Sequence, residues 1–408
     1  MDAPLAGITV VALEQVVAAP MCTRTLGDLG ARVIKVENPV GGDFARDYDD
    51  VVNGLAAHFV WMNRGKESVT LDLKSAGGMA VLHRLLDRAD VLVSNLAPGT
   101  TSRYGLAPAD LADRYPDLIA IEIDGFGPGG PLSHKRAYDL LAQAESGSCA
   151  ITGRPDAPAK AGPPVADLCT GLYAAISVLA LLVGRRRPGS ARLGGAAAVS
   201  LFDTMTELMG YALTYTRYTG VDQEPVGMGS PAVAPYGAYR TADGHTVVLG
   251  TTNDREWQRL ARGVLGRPDL AEDDRFATRT SRIANRTALD AEVGQWCGRH
   301  DLAHVQAVAD AAGIGNSRLN RPSDVLRHPH LRARNRWRPI DTPTGPAEAL
   351  LPPPVIAGYT PPMGAIPGLG EHTDAVLAEF GLSELEISAL RESGAIGPSY
   401  ISPGPTGQ

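Results

Sequence analysis

Cysteine is scarce in this sequence, and its few copies lie far apart. The four cysteines among 408 residues are Cys22, Cys149, Cys169 and Cys297. Zinc sites and thioredoxin-like redox motifs need closely spaced cysteines, so this spacing argues against both. The nine histidines also lack the spacing of a metal site. We therefore predict reduced, mostly buried thiols and no bound metal.

Positive charge is in deficit as well. The 38 Lys and Arg side chains are outnumbered by 45 Asp and Glu side chains, which gives a net charge of −7 at pH 7. Proteins that bind nucleic acid hold its phosphates with dense basic patches, so we expect no nucleic-acid partner. The first predicted strand is not followed by G-x-G-x-x-G, and no G-x-x-x-x-G-K-[ST] motif is present. A dinucleotide site at that strand and a Walker-type phosphate loop are therefore not expected.

Long hydrophobic runs are rare. The longest apolar stretch, 165–183, is interrupted by Asp167, Cys169, Thr170 and Ser177. A buried helix explains this composition better than a membrane span. The first residues show neither the basic segment nor the apolar run of a secretory signal. We expect a cytoplasmic protein with no membrane partner.

The first half of the sequence has a regular alternation of short strands and helices. Apolar, β-branched runs predict the strands, and apolar residues three and four positions apart predict the helices. The predicted strands are Gly7–Leu13, Ala31–Val36, Ser68–Leu73, Asp90–Ser94 and Leu118–Ile123, and the predicted helices are Pro20–Leu29, Ser75–Arg88, Tyr138–Glu145, Val165–Leu182 and Ser200–Tyr218. This order predicts an α/β fold with a doubly wound parallel sheet.

Length and composition predict two domains. A chain of 408 residues exceeds what a single hydrophobic core usually supports. Two stretches are rich in Pro and Gly: 220–235 indicates a linker or an ordered loop, and 352–367 indicates a connecting segment. Between and after them we predict a strand at Thr246–Thr251 and helices at Glu256–Leu265, Ala288–Arg299, Leu302–Ala312 and His372–Phe380. Residues 1–220 are thus assigned to a large domain, 221–330 to a small domain, and 331–408 to a linker that returns to the large domain.

Asp167 is the first candidate for chemistry. It lies within Pro164-Val165-Ala166-Asp167-Leu168-Cys169, where a carboxylate is costly unless it has a partner or a function. Its structural alternative is the N-cap of the following helix, where Asp is favoured and the helix dipole stabilises negative charge. Buried carboxylates with shifted pKa values also gather at functional sites. The residues alone leave both roles open, and the two are compatible.

Several basic residues follow predicted strands. Lys74, Arg103, Lys135 and Arg136 are individually compatible with solvated surface groups. In open parallel sheets, however, ligands bind beyond the carboxyl ends of the strands, so such residues could meet phosphates there. Gly41, Gly42 and Asp43 indicate a turn after the second strand and nothing more.

Many ordered segments resemble the class III CoA-transferase family, which includes formyl-CoA transferases, carnitine CoA-transferases and α-methylacyl-CoA racemases. The resemblance spans nearly the whole chain. It rests on residues 4–11, 19–22, 26–31, 33–37, 63–66, 71–74, 90–95, 98–99 and 370–373, among them Leu26-Gly27-Asp28-Leu29-Gly30-Ala31, Asn63-Arg64-Gly65-Lys66 and Gly370-Glu371-His372-Thr373.

This resemblance implies that Asp167 is the nucleophile. In the family the matching aspartate attacks an acyl-CoA thioester and becomes an aspartyl-CoA thioester, which then passes CoA to a second acid. Coenzyme A is thus a substrate, and no permanently bound cofactor is implied. The resemblance also implies CoA contacts from Gln15, Val17, Ala18, Leu71, Lys74, Asn95, Leu96, Arg103, Tyr104 and Arg136, with Lys74, Arg103 and Arg136 facing the phosphates.

Departures from the family pattern separate its activities. Racemases add a histidine and a glutamate to the aspartate, whereas the matching positions here are Tyr138 and Asn253. A tyrosine of ordinary pKa and a neutral amide make a poor proton relay at neutral pH, so a transferase ranks above a racemase. Val17 replaces a glutamine of formyl-CoA transferases, which argues against formyl-CoA and oxalate as the substrate pair. A CoA-binding regulatory protein is the non-catalytic alternative.

The resemblance further suggests the substrates and the assembly. Residues 229–239 and 253–257 resemble members that act on mesaconate, citramalate, malate or itaconate, with succinyl-CoA as the usual donor; some relatives instead move CoA within one mesaconyl group. The implied fold is an interlocked homodimer with a Rossmann-like large domain and a smaller α+β domain. Residues 226–229 have the glycine content of a lid.

Overall fold

The computed structural model describes residues 2–185 and 194–402, which form two compact units. The first unit contains residues up to 146, 162–208 and 331 onward, and the second contains 147–161 and 209–330. The second unit thus begins before the boundary predicted at residue 220, and it includes a short piece around residue 153. The Gly227 amide donates to the Gly153 carbonyl at 2.7 Å. Such a contact between distant residues has no local sequence signature.

Strands and helices alternate through the first half of the chain, and helices predominate in the second half. The strands are β1 (Thr9–Leu13), β2 (Arg32–Glu37), β3 (Lys66–Thr70), β4 (Val91–Ser94), β5 (Ile119–Asp124), β6 (Gly153–Arg154), β7 (Ala157–Pro158), β8 (Gly195–Ser200), β9 (Tyr236–Arg240), β10 (Thr246–Gly250), β11 (Gly315–Arg318), β12 (Trp337–Ile340) and β13 (Ala347–Leu350). The helices are α1 (Ala18–Asp28), α2 (Ala57–Met62), α3 (Ala76–Leu86), α4 (Thr100–Arg103), α5 (Pro108–Arg114), α6 (Asp139–Glu145), α7 (Ser148–Ile151), α8 (Val165–Arg185), α9 (Leu201–Leu208), α10 (Gly210–Thr219), α11 (Asp254–Arg259), α12 (Pro268–Glu272), α13 (Arg279–Ala284), α14 (Arg286–Cys297), α15 (Leu302–Ala311), α16 (Pro322–Leu326), α17 (Pro329–Ala333), α18 (Thr373–Glu379) and α19 (Glu384–Glu392). Phe44–Asp47 forms a 3-10 turn, and Leu260–Val264 a π-helical turn.

A six-stranded sheet organises the first unit. Its order is β3-β2-β1-β4-β5-β8, and every neighbouring pair is parallel. The predicted α/β class with a parallel sheet is confirmed. All six strands therefore end at one edge, and the loops that leave this edge are available to build a site.

The two faces of this sheet carry separate cores. Along β1, Val10 and Ala12 face a cluster that includes residues of α1 and α8, whereas Val11 and Leu13 face one that includes residues of α3, α18 and α19. Successive strand residues point to opposite faces, so a strand that is apolar throughout must be covered on both sides. The C-terminal helices supply part of that cover, which explains why the end of the chain returns to the first unit.

Helix α8 starts near the carboxyl ends of the parallel strands and packs against α1. A Cβ atom on Gly171 would lie 2.4 Å from the Ala18 carbonyl oxygen, so glycine permits this close approach. By length and composition α8 could cross a membrane, but one of its faces is buried in the core beside α1. The opposite face is apolar and exposed, with Leu172 40% exposed, Ile176 57% and Val183 61%. The prediction of a buried helix therefore holds for one face only.

The helix predicted over 200–218 was wrong in two respects. The single helix predicted over 200–218 is two helices, α9 and α10, separated at Met209. Ser200 belongs to β8 instead, a strand of small residues (Gly-Ala-Ala-Ala-Val-Ser) that pairs with β5. Alanine has little strand preference, so only the pairing with β5 makes this segment a strand.

The second unit has its own sheet and core. Strands β9, β10 and β11 form an antiparallel sheet in the order β11-β10-β9. Trp257, Phe276 and Leu289 are fully buried among residues of this sheet and the surrounding helices. Two arginines fasten its 230–235 loop: Arg282 donates from Nε to the Ala234 carbonyl at 2.8 Å, and Arg286 donates from Nη2 to the Val233 carbonyl at 2.8 Å.

Candidate active site

A cavity of about 820 Å³ lies at the carboxyl edge of the parallel sheet. Its walls come from the segments after β1, β4 and β5, from the 3-10 turn after β2, and from the first turn of α8. The lining residues are Gln15, Val16, Val17, Ala18, Phe44, Tyr48, Asn95, Leu96, Ala97, Pro98, Thr100, Ile123, Asp124, Gly125, Arg136, Ala137, Tyr138, Asp167 and Leu201. An apolar cavity of this size with a few polar groups has the character of a small-molecule site.

The Asp167 carboxylate lies in this cavity without a stabilising partner. It is half-buried in the first turn of α8, and no hydrogen bond or ion pair to its carboxylate occurs within residues 2–185 and 194–402. Burial raises the pKa of Asp167 to about 7, and the nearby charge of Asp139 contributes to the same shift. A carboxylate with a raised pKa is less solvated and more basic than an ordinary one, which favours nucleophilic or acid-base chemistry.

Asp139, and not Asp167, provides the cap for α8. Its Oδ1 accepts a hydrogen bond from the Ala166 amide at 2.9 Å, and its Oδ2 accepts one from Gln143 Nε2 at 2.7 Å. Asp167 lies inside the first turn, two positions after Val165, where its side chain makes no capping hydrogen bond. The capping alternative for Asp167 is therefore wrong. Asp139 thus sets the start of the helix that carries Asp167 and also raises its pKa.

Two tyrosines and a phenylalanine of the lining were not expected as a group. Phe44 and Tyr48 come from the 3-10 turn and the residue after it, and Tyr138 precedes α6. Burial, with smaller contributions from Asp43, Tyr138 and Asp167, raises the pKa of Tyr48. Its phenol therefore remains a hydrogen-bond donor beside the carboxylate. The sequence signal was only the turn that precedes Phe44, which does not reveal where the turn lies in the fold.

The structure places six of the ten predicted CoA contacts in the cavity wall. These are Gln15, Val17, Ala18, Asn95, Leu96 and Arg136. Asn95 and Gln15 hold each other: the Gln15 amide donates to Asn95 Oδ1 at 2.8 Å, and Asn95 Nδ2 donates to the Gln15 carbonyl at 2.9 Å. Arg136 is exposed and supplies positive charge to a wall that otherwise carries carboxylates.

The other four predicted contacts lie outside the cavity wall. Leu71 is buried in the core, so only its backbone can meet a ligand. Lys74 is exposed one turn after β3, and Tyr104 is half-buried against the same core. Arg103 is exposed, and its Nη2 donates to the hydroxyl of Thr100, a cavity residue, at 2.9 Å. The basic residues among them remain predicted contacts for a ligand longer than this cavity.

The two positions that matched the racemase catalytic residues differ in setting. Tyr138 lines the cavity and is 67% exposed. Asn253 lies in the second unit, where its Oδ1 accepts a hydrogen bond from the Glu256 amide at 2.9 Å and caps α11. A side chain used as a helix cap is held by that bond, which does not suit a proton relay. Within the described ranges, no three His, Cys, Asp or Glu side chains lie close enough to hold a metal ion.

Comparison with known proteins places this geometry in context. The family model described as CoA-transferase family III matches residues 5–373. A succinate–glutarate CoA-transferase of Agrobacterium fabrum is 34% identical over 393 residues, which cover 92% of this chain and 96% of the relative. An acetyl-CoA:oxalate CoA-transferase of Acetobacter aceti is 34% identical over 388 residues, with 93% and 97% covered. The crystal structure of a CAIB/BAIF family protein from Brucella suis superimposes with a TM-score of 0.80 at 33% identity, and the match covers 93% of this chain and all of that one.

Proposed function

Because this chain belongs to CoA-transferase family III, we propose that it moves coenzyme A from an acyl-CoA to a short dicarboxylic acid through Asp167. The single observation that carries the proposal is the unpaired, half-buried Asp167 carboxylate, whose pKa is raised to about 7, in a cavity at the sheet edge. Succinyl-CoA is the proposed donor, and a C4 or C5 dicarboxylate is the proposed acceptor.

The proposed reaction has two exchanges, each then run in reverse. The Asp167 carboxylate attacks the thioester carbonyl, the C–S bond breaks, and an acyl-aspartyl anhydride and CoA thiolate result. The thiolate attacks the aspartyl carbonyl and releases the donor carboxylate, which leaves an aspartyl-CoA thioester. The acceptor carboxylate then attacks this thioester, and the freed thiolate finally takes the acceptor acyl group and regenerates Asp167. Dividing the transfer in this way replaces one difficult exchange with easier ones.

Cavity residues have defined tasks in this scheme. Gln15, Val17, Ala18, Asn95 and Leu96 are proposed to hold the acyl-CoA near its thioester, and Arg136 to face its phosphates together with Lys74 and Arg103. The apolar part of the wall, including Val17, is proposed to limit the access of water once the acyl-CoA is bound. Water exclusion matters because water would hydrolyse the anhydride.

The acceptor is proposed from the names of relatives and from the 229–239 and 253–257 segments. One relative is named for succinate and glutarate and another for oxalate, so short dicarboxylic acids are their common class. Val17 argues against oxalate, yet the second relative keeps oxalate among the acids to be tried. In the second unit, Arg286 and Arg282 hold the 230–235 loop that belongs to the first of these segments.

The test is mass spectrometry of acyl-CoA products after the enzyme is mixed with succinyl-CoA and a panel of acids. The panel contains glutarate, mesaconate, citramalate, malate, itaconate and oxalate. A new acyl-CoA that requires the acceptor would support the proposal and name the acid. If no acid gives a product, mesaconyl-CoA alone tests intramolecular transfer, and solvent deuterium at the α-carbon of an acyl-CoA tests a racemase. CoA binding without any of these reactions would instead indicate a regulatory protein.

The pH dependence of transfer follows from the pKa of Asp167. The nucleophile must be ionised, so we expect kcat/KM for acyl-CoA to rise with pH through about 7 and then level off. At pH 6 about one tenth of the wild-type carboxylates are ionised for a pKa of about 7. Asp139→Asn removes the negative charge that contributes to the raised pKa, so the rising limb should move to lower pH. The ratio of kcat/KM at pH 6 to that at pH 8 should then increase severalfold, whatever the effect on the maximum.

The control for this change is Glu145→Gln at the other end of α6. Glu145 is exposed and pairs with Lys135 at 3.3 Å, and it does not contribute to the pKa shift of Asp167. The control should keep the wild-type pH profile. An unchanged profile in Asp139→Asn would show that Asp139 does not tune the nucleophile.

We also propose that two copies of the chain associate and that the enzyme acts in the cytoplasm. The exposed apolar stripe of α8, formed by Leu172, Ile176 and Val183, is the surface that supports association. Such a stripe on a helix is unfavourable in water unless another surface covers it. Light scattering should give twice the chain mass, and Ile176→Glu should destabilise this dimer and lower its Tm. A wild-type monomer at micromolar concentration would reject the homodimer.

A further inference from the structure

Four charged side chains pair with one another next to the loop that follows β1. We call Glu14, Lys35, Asp43 and Lys66 the inner charge network. Lys35 Nζ lies 2.7 Å from Asp43 Oδ2 and 3.2 Å from Glu14 Oε1, and Lys66 Nζ lies 2.6 Å from the same Glu14 oxygen. Two negative and two positive charges thus balance one another, and all four residues are at most 3% exposed.

Glu14, Lys35 and Lys66 of the inner charge network remain ionised in this buried place. Burial by itself raises the pKa of Glu14, but Lys35 and Lys66 lower it on balance. Burial likewise lowers the pKa of Lys35, but Glu14 and Asp43 raise it on balance. Burial lowers the pKa of Lys66 to about 8, which still leaves its ammonium charged at neutral pH. The charges of Glu14, Lys35 and Lys66 therefore depend on their neighbours, so a change at one member disturbs the others.

This arrangement continues directly into the cavity wall. Asp43 Oδ1 accepts a hydrogen bond from the Val16 amide at 3.0 Å and another from the Ala45 amide at 2.9 Å. Val16 has a φ of 65°, which is a strained backbone conformation for a β-branched residue. Glu14 is two residues before Val16, so the network holds the backbone on both sides of Gln15. The strained loop then presents Gln15, Val16 and Val17 to the cavity that contains Asp167.

We propose that the inner charge network positions this strained loop for the reaction at Asp167, so that Glu14, Lys35, Asp43 and Lys66 are positioning residues. The inference rests on the proposed function for its kinetic consequences. None of the four side chains lines the cavity. Asp43 acts on the loop through the Val16 amide, and the two lysines act by holding the Glu14 and Asp43 carboxylates. A buried ion network often stabilises a fold no better than an apolar core of the same volume does, but it imposes a single geometry where a ligand site needs one.

A matched ion pair at the opposite end of β1 provides the control. Asp90 Oδ2 accepts a hydrogen bond from the Thr9 amide at 2.9 Å, and Asp90 Oδ1 pairs with Arg185 at 2.8 Å. Like Asp43, Asp90 is a carboxylate that binds one cation and a backbone amide, but it is partly exposed and lies at the end of β1 away from the cavity. Asp90→Asn should lower stability without altering the loop.

The experiment compares Asp43→Asn with Asp90→Asn in the full chain. The amide that replaces the Asp43 carboxylate must turn its NH2 group toward either the Lys35 ammonium or the Val16 amide, so one donor faces another. We expect Asp43→Asn to raise the KM for acyl-CoA and lower kcat, with a combined loss of about 10- to 100-fold in kcat/KM. Asp90→Asn should stay within about twofold of wild type. Equal kinetics in the two variants would overturn the proposal.

A second variant separates positioning from general stability. Glycine adopts a φ of 65° without strain, so Val16→Gly removes the need for the network to hold this conformation. In the Val16→Gly background, Asp43→Asn should lower kcat/KM by less than about threefold. A loss as large as in the wild-type background would show that Asp43 does not act through Val16, and would reject the mechanism.

Amide hydrogen exchange gives a measure that needs no activity. In the wild type the Val16 and Ala45 amides should exchange slowly, and Asp43→Asn should accelerate both while amides at the Thr9 end of β1 remain protected. Rapid exchange of Val16 in the wild type would overturn the proposal even if no variant folded. If the wild type transfers CoA to no acid, the proposed function fails. The exchange experiment still tests whether Asp43 holds the Val16 and Ala45 amides, because it needs no activity.

Discussion

Asp167→Ala should abolish CoA transfer and leave the fold intact. The scheme offers no second group to form the anhydride and the aspartyl-CoA thioester, so turnover should fall by at least about ten-thousand-fold. Intact-protein mass spectrometry after incubation with succinyl-CoA should find CoA attached to wild type and none on the variant. A peptide that contains Asp167 should carry the adduct.

The same substitution has a consequence for stability with a definite sign. Folding raises the pKa of Asp167 above that of an exposed carboxyl, so the folded state disfavours its ionised form. The free energy of unfolding therefore decreases as the pH rises from the pKa of Asp167 in the unfolded chain toward about 7. Above pH 7 this loss of stability is complete. Asp167→Ala removes this cost, so its Tm at pH 8 should equal or exceed that of the wild type, whereas at pH 4 the difference should be smaller.

Asp203→Ala is the matched control for both measurements. Asp203 is the third residue of α9, as Asp167 is of α8, and it lies outside the cavity lining. This variant should retain transfer and the CoA adduct. Activity within tenfold of wild type in Asp167→Ala would exclude the aspartyl mechanism, and loss of structure in that variant would leave the intact-mass adduct on wild type as the deciding measurement.

Arg282→Met should strongly destabilise the second unit. Arg282 is 1% exposed, and its guanidinium donates to the carbonyls of Ala234 and Phe276 at 2.8 and 3.0 Å and to Asp254 Oδ1 at 2.6 Å. Methionine keeps much of the volume but leaves the buried acceptors without donors. Asp254 is exposed and regains water, but each of the two buried carbonyls left without a donor costs about 1–3 kcal/mol, so the Tm of this unit should fall by roughly 10 °C.

Calorimetry and hydrogen exchange together can check this effect. Calorimetry should show one transition moved to lower temperature, and exchange should increase in residues 234–282 but not in the parallel sheet of the first unit. The control is Arg275→Met, because Arg275 forms a close pair with Asp273 at 2.6 Å on the surface, where such pairs contribute little. Equal Tm values for the two variants would contradict the assigned role of Arg282.

Much of the first unit could be predicted from local patterns. Strands β1 to β5 and helices α1, α3, α6 and α8 lie within or close to the predicted segments, because apolar periodicity and turn residues act over short distances. β8 was missed because its alanines show no strand preference, and only pairing with β5 stabilises it. The break between α9 and α10 at Met209 was also missed.

The candidate site was predictable only in part. Asp167 stood out as a charge in an apolar segment, and resemblance to a known family supplied six residues of the cavity wall. Asp139 and Tyr48 gave no comparable signal, because an aspartate or tyrosine at a helix or turn boundary is common. Asp43 read as an ordinary turn residue, although it connects the inner charge network to the Val16 backbone.

The sequence by itself determined the fold class, the family, the separation of cysteines and the unusual setting of Asp167. The pattern of apolar and polar residues is local, and the order of residues can be compared directly between chains, so both can be read without a structure. Only the tertiary structure decided that Asp139 caps α8, that Glu14, Lys35, Asp43 and Lys66 share one buried place, and that Val16 adopts a strained conformation. The reason is that pKa shifts, ion networks and backbone strain depend on burial and distance, which arise when segments far apart in the chain pack together.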